Sequence, residues 1–320
     1  AGEGAHDHPS VPSEDALPGD PASDVPAGYT EDQRGVPGGF VGENDIMDTW
    51  ATSSLTPQIA GGWEVDPDLF ERVFPMDLRP QGQDIIRTWL FSTVVRSHLE
   101  FGSLPWKNAA ISGWILDPDR KKMSKSKGNV VTPMGLLEEH GSDAVRYWAA
   151  SARLGTDAAF EVGQMKIGRR LAIKILNASK FALSFGVDAE TGTGEIVLDQ
   201  ALVTETLDRA MLAGLATVVE KATEAFEAYD HTRALEVTET FFWTFCDDYL
   251  ELVKDRAYGA GAAASDVSAE TRSARVALAI ALDTLLRLFA PLVPCAADEV
   301  WAWWRAAAGA LRRAAGRPRG

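Results

Sequence analysis

Cysteine is scarce in this sequence, with only Cys246 and Cys295 among 320 residues. They stand far apart inside apolar runs and no Cys-x-x-Cys spacing occurs. That excludes a disulfide framework and a paired-thiol zinc or redox centre, and each reads as a buried thiol. Histidine is nearly as sparse, at five residues. His6 and His8 form a His-x-His with no third ligand near them, so no metal site is expected. No run approaches the roughly 18 uncharged apolar residues that a membrane span requires, and the first residues lack a basic-then-apolar secretory pattern. The expectation is a soluble, cytoplasmic protein without membrane contact. Positive charge is short as well, and the formal net charge is −15. Residues 1–50, however, hold eleven acids and one base, so the rest of the chain carries only −5. A near-neutral body can still present local basic surfaces.

What is present is enough apolar content, 46%, for two or more packed units. Residues 1–43 are rich in Pro, Gly, Asp and Ser without apolar periodicity, and read as a disordered loop or linker. Beyond them the pattern predicts a short strand over 74–78, a loop over 79–83 and a helix over 84–99 with Asp84 as its N-cap. The apolar run 108–116 predicts a buried strand. Strand, helix and strand in this order suggest a parallel α/β sheet, with ligands expected beyond the carboxyl end of the second strand.

The segment leaving that strand is "RKKMSKSKGNVVTP", residues 120–133, with five cations in its first eight residues and no carboxylate. Flexible ammonium groups among Ser124, Ser126 and Gly128 can close over a polyanion, and a triphosphate is the natural candidate. Thr132 and Pro133 fit a helix start, cap then first turn, so the loop is hinged between strand and helix.

"KMSKS" (122–126) resembles the mobile loop of class I aminoacyl-tRNA synthetases, and "DPDRKKMSKSKGNVVTP" extends the likeness. The resemblance implies that Lys122 and Lys125 stabilise pyrophosphate as it leaves ATP. Ser124 and Ser126 would support the loop or donate to phosphate, with Lys127 beside them. "GQD" (82–84) is similar to the family's Gly-x-Asp: Asp84 would accept from the ribose hydroxyls and Gly82 would let the sugar approach. The backbone at Ile115 and Leu116 would read adenine. "MDTWATSS" (47–54) and "DIIRTW" (84–89) resemble the valyl branch, and imply a dry pocket of Trp50, Ile85 and Trp89 for a small branched side chain.

From 133 onward the pattern is helical, with Gly141 as a cap and Ser142 opening the next helix. The stretch 158–162 reads as a short connecting piece. Residues 166–181 hold five bases and no acid, with Lys166, Arg170 and Lys174 on one stripe, a candidate tRNA phosphate contact. Helices are expected at 202–228, 232–257, 270–290 and 295–306. Within 238–258, Phe242, Phe245, Tyr249 and Leu252 recur at spacings of three and four, giving one buried face of a bundle. That stretch and "APLVPCAADEVW" resemble the anticodon-binding domain of the same family.

The fold class expected is therefore α/β, the second half of a Rossmann-like nucleotide-binding domain, followed by an all-α helical bundle. The divisions are linker 1–43, catalytic half-domain 44–132, stem-contact connection 133–165, bundle 166–304 and an irregular tail 305–320. The resemblance implies ATP with Mg2+, valine and tRNA(Val) as partners, and no protein partner. The sequence contains no His-x-Gly-His, the family's counterpart to the lysine loop, and no segment for the editing insertion; editing is expected elsewhere in a longer parent. Two alternatives stay open: an isoleucyl fragment, and a tRNA-binding module without catalysis.

Overall fold

The computed structural model describes residues 11–43, 45, 48–185, 198–259 and 267–315, without the side chains of Lys125 and residues 305–315. His6 and His8 lie outside the described residues. The chain separates into two units, residues 1–77 with 85–107, and residues 78–84 with 108–320.

In the first unit, residues 11–43 are a tied set of turns where the composition suggested disorder. Arg34 holds them, donating to the carbonyls of Pro21 at 3.0 Å and Asp24 at 2.9 Å while pairing with Glu31 at 2.7 Å. Three short helices follow: α1 (Thr49–Ser53), α2 (Thr56–Gly61) and α3 (Pro67–Val73). Asp48 and Asp66 cap the first and third by accepting from the amides of Trp50 and Leu69, as short polar side chains do at helix starts. The next helix, α4 (Phe91–Phe101), is entered through a π-helical turn at Ile86–Leu90. Asp84 is not its cap, because a 3-10 turn at Gln83–Ile85 intervenes. Trp63, Phe70, Phe74 and Phe101 form a half-buried aromatic cluster in this unit, with ring centroids 4.7 to 5.6 Å apart.

Strands β1 (Met76–Gly82) and β2 (Trp106–Ser112) pair in a two-stranded sheet, and each begins in the first unit and ends in the second. The segment 79–83, expected as a loop, thus belongs mostly to a strand. Its alternation is inverted: Arg79 and Gln81 face inward at 7% and 8% exposure while Leu78 and Pro80 face out. Burial pushes the Arg79 guanidinium down to about 10. The run 108–116 is two strands. It breaks at Gly113, where any Cβ would collide with the Thr156 carbonyl, and resumes as β3 (Ile115–Leu116), parallel to β4 (Ala158–Ala159). The connecting piece is therefore itself a strand.

The helices of the second unit are α5 (Pro133–His140), α6 (Ser142–Ala150), α7 (Val162–Leu183), α8 (Thr206–Glu227), α9 (His231–Thr244), α10 (Leu250–Tyr258), α11 (Ala269–Phe289) and α12 (Pro294–Ala315). Their core includes Leu171, Ile175, Phe242, Phe245, Tyr249, Leu278, Leu285, Phe289 and Val300. Helix α11 is its axis, buried at twelve of its 21 positions. Leu252, expected in this core, is 67% exposed, and Val253 is fully buried in its place. The reason is a π-helical turn at Phe245–Tyr249 between α9 and α10, which delays the helical phase by about one residue. Residues 305–315, expected as irregular, continue α12.

Helix α6 is bolted to α12. The Asp143 carboxylate accepts from the amides of Cys295 at 2.9 Å and Ala296 at 2.6 Å, satisfying the donors of that helix start. Arg146 donates to the Pro291 carbonyl at 2.7 Å. Tyr147 crosses α7 at Gly168, where a Cβ would overlap its ring, and its hydroxyl donates to Glu239 on α9.

A candidate phosphate-binding loop

Residues 117–131 run from the end of β3 to the start of α5, and two side chains hold them in shape. Asp117, 6% exposed, accepts from the Lys121 amide at 2.7 Å and from the Asn129 side-chain amide at 2.7 Å. Asn129 in turn accepts from the Ser124 amide at 3.0 Å and donates to the Lys122 carbonyl at 3.3 Å. The loop is thus closed at its base and pinned at its middle. Those hydrogen bonds from Lys121 and Asn129 hold the Asp117 carboxyl below its usual range, so it stays an acceptor at neutral pH. Arg120 and Gly128 take left-handed backbone at φ 61° and 67°, and a 3-10 turn at Lys125–Lys127 makes the tip.

The predicted residues gather here in part. Lys122 bridges to Leu116 through the backbone, and Ser124 and Ser126 share a hydroxyl contact at 3.3 Å. Lys122, Ser126 and Lys127 are exposed. Ile115 is half open to solvent and faces Ala158 across β3 and β4. Gly82 and the exposed Asp84 flank Gln83, whose side chain donates to Asp157 at 3.3 Å; the same Asp157 oxygen accepts from the Trp114 amide at 2.7 Å. One carboxylate therefore joins the Gly-x-Asp turn to the strand that enters the lysine loop.

Asp117, Asn129 and Asp157 are the residues that sequence reasoning missed. The lysines announce themselves by charge, whereas a lone Asp or Asn carries no local pattern.

In the first unit, the indole N–H of Trp89 donates to the Ser53 carbonyl at 2.6 Å, at the end of the helix that carries Trp50. With its one polar atom engaged, the Trp89 ring has only apolar surface to offer. Trp50 and Ile85 are half-buried. On α7, Lys166 and Arg170 are exposed, but Lys174 is not free: it pairs with Asp247 at 2.9 Å, and that hydrogen bond raises its pKa.

Comparison with known proteins gives this geometry a family. The description "tRNA synthetases class I (I, L, M and V)" matches residues 29–161, and "Anticodon-binding domain of tRNA ligase" matches residues 208–315. Two solved structures share the fold. The Agrobacterium radiobacter K84 agnB2 LeuRS, in a ternary complex with tRNA and LeuAMS, aligns with TM-score 0.63 at 21% identity, over 83% of this chain and 33% of that one. Mycobacterium tuberculosis methionyl-tRNA synthetase with methionyl-adenylate aligns with TM-score 0.64 at 23% identity, over 80% and 50%. Residues 29–161 thus match the class I tRNA synthetases, and residues 208–315 the anticodon-binding domain of tRNA ligases.

Its similarity within that class is to the valine branch. It is 70% identical over 304 residues to the valine-tRNA ligase of Thermobifida fusca strain YX, covering 95% of this chain and 33% of that protein. It is 63% identical over 315 residues to the enzyme of Salinispora tropica, covering 98% and 35%. The chain spans about a third of the length of the curated relatives it matches.

Proposed function

We propose that this chain is part of a valine-tRNA ligase. It supplies the lysine loop, the Gly-x-Asp turn, part of the valine pocket and the tRNA-binding helices, in the domain order set out from the sequence. The observation that carries this reading is the loop itself: a "KMSKS" segment held by Asp117 and Asn129, in a chain this similar to valine-tRNA ligases.

In the activation step the valine carboxylate attacks the α-phosphorus of ATP, and the bond to the bridging oxygen breaks as pyrophosphate leaves. Lys122 and Lys125 meet the charge that develops on the leaving group, with Ser124, Ser126 and Lys127 around it. Gly82 and Asp84 receive the ribose, and the backbone at Ile115 and Leu116 the adenine. Trp50, Ile85 and Trp89 select the side chain by shape. The valyl group then passes to tRNA(Val), and such a role implies a cytoplasmic protein. Among the described residues no three His, Cys, Asp or Glu side chains gather to hold a metal ion. The resemblance implies Mg2+ carried with the nucleotide.

The test is a chimera in which this chain replaces the matching third of the Thermobifida fusca relative. Valine-dependent exchange of pyrophosphate into ATP is the expected result. Exchange with isoleucine in its place would move the assignment to the isoleucyl enzymes, and tRNA binding without any exchange would reduce the chain to a binding module.

A second expectation concerns tRNA. With Lys174 held by Asp247, Lys166 and Arg170 are the bases of that stripe free to meet phosphates. Reversing both to Glu should weaken tRNA binding and lower the log-log salt slope by roughly two. Unchanged affinity would leave that stripe a solvated surface.

A further inference from the structure

The ammonium of Lys122 lies over the Trp114 indole, 3.5 Å from the ring centroid. This is a close cation–π contact, and it occupies the lysine for which the proposed function has the heaviest use. Trp114 is itself anchored. Its amide donates to Asp157, which also holds Gln83, and its carbonyl accepts from the Ala158 amide at 2.9 Å in the β3–β4 pairing. The ring therefore stands on the rigid side of the loop, on the strand end, while Lys122 stands on the loop. Lysine on a loop hinged this way has two places to be: over the indole, or out on a polyanion. A phosphate group draws an ammonium more strongly than an aromatic face does, because it is a full charge that accepts hydrogen bonds.

We propose that Trp114 is a positioning residue that stores the Lys122 ammonium in the unliganded protein and releases it to a polyphosphate. The inference rests on the reading of the loop as a phosphate site and adds to it a resting state with a defined cost. Lys122 must leave the ring before it binds, so the ring weakens ground-state phosphate binding and keeps the loop from closing when no ligand is present. Trp114 touches no reacting atom. Its effect passes through where Lys122 waits.

The experiment uses the full chain, labelled with isotope at lysine, and inorganic pyrophosphate as the probe. The ring current of Trp114 should displace the Lys122 Cε methylene resonances upfield in the free protein, with Lys122→Met identifying them by their loss. Saturation with pyrophosphate should bring them back to the position of an exposed lysine. Trp114→Leu should abolish the displacement and bind pyrophosphate about two- to five-fold tighter, the reverse of what damage to a site does. Trp114→Phe, which keeps a weaker ring, should fall between the two on both readouts, and it decides the matter should Trp114→Leu fail to fold. Equal or weaker binding by folded Trp114→Leu overturns the storage role, as does a Lys122 resonance that pyrophosphate leaves displaced. If Lys122→Met binds pyrophosphate as tightly as the unaltered chain, or if no variant binds it, the phosphate reading of the loop fails first and release falls with it.

Discussion

Replacing Asp208 with Asn should cost the helical unit roughly 3 kcal/mol, read as a fall in the urea midpoint followed by circular dichroism. Asp208 has no exposed surface, and three groups from three other helical segments converge on its carboxylate through four hydrogen bonds. Tyr249 donates at 2.8 Å, Ser273 at 2.6 Å, and the Arg256 guanidinium reaches both oxygens at 2.6 and 2.7 Å. Ser273 then accepts from the amides of Thr204 and Glu205, just ahead of α8. Removing the charge leaves a part-buried guanidinium with only the Glu270 carbonyl, at 3.0 Å, as a strong acceptor, which is worse than never having built the pair.

Acid should expose the same network. Burial alone would raise the Asp208 pKa, but the bonds from Arg256, Ser273 and Tyr249 outweigh it and hold the carboxyl below its usual value. A carboxylate with a depressed folded value contributes stability that is complete above its unfolded pKa, about 3.9, and is lost as pH falls through the folded one. The gap between wild type and Asp208→Asn should therefore be flat from about pH 5 upward and narrow below about pH 4. A gap that stays constant into acid would show that packing, and not the charge, sets the cost.

In the chimera with the Thermobifida fusca relative, Lys122→Ala should lower the rate of valine activation by about a hundred-fold or more, with little change in the KM for valine. The argument turns on when the charge is needed. Valine does not touch Lys122 in the proposed arrangement, and in the unliganded protein the ammonium rests on Trp114. The leaving pyrophosphate gathers negative charge only as its bond breaks, so the lysine binds the transition state more strongly than the ground state, and only such a difference accelerates a step. Pyrophosphate exchange measured across valine and ATP concentrations separates the outcomes. A loss confined to the rate supports the assignment; a matching rise in the KM for ATP with the rate intact would make Lys122 a ground-state binding group.

Much of this was legible in the chain because its signals are local. The basic loop between a strand and a Thr-Pro helix start is visible by charge and spacing, its resemblance to a known family is what suggests phosphate, and α5 begins at Pro133 as the Thr-Pro start expects. Helices α7, α8 and α11 follow from apolar periodicity, since a helix displays its buried stripe in the order of its residues. The failures share a different cause. Strand β1 was hidden because its inward positions are Arg79 and Gln81, so the polar-apolar alternation pointed the wrong way. Leu252 was misplaced because one π-helical turn shifts phase without leaving a mark in composition. Lys174 was counted among free bases because its partner, Asp247, comes 73 residues later.

The sequence by itself determined which groups carry charge, which faces are apolar and where the loop lies. Only the tertiary structure decided which polar groups meet. Asp117 with Asn129, Asp157 with Trp114, Asp143 with the start of α12 and Asp208 with Arg256 are pairings across 12 to 153 residues. Hydrophobic burial is non-directional and leaves a periodic trace, but a buried hydrogen bond needs two particular atoms within about 3 Å. That condition is met by the path of the backbone, and no repeat in the sequence records it.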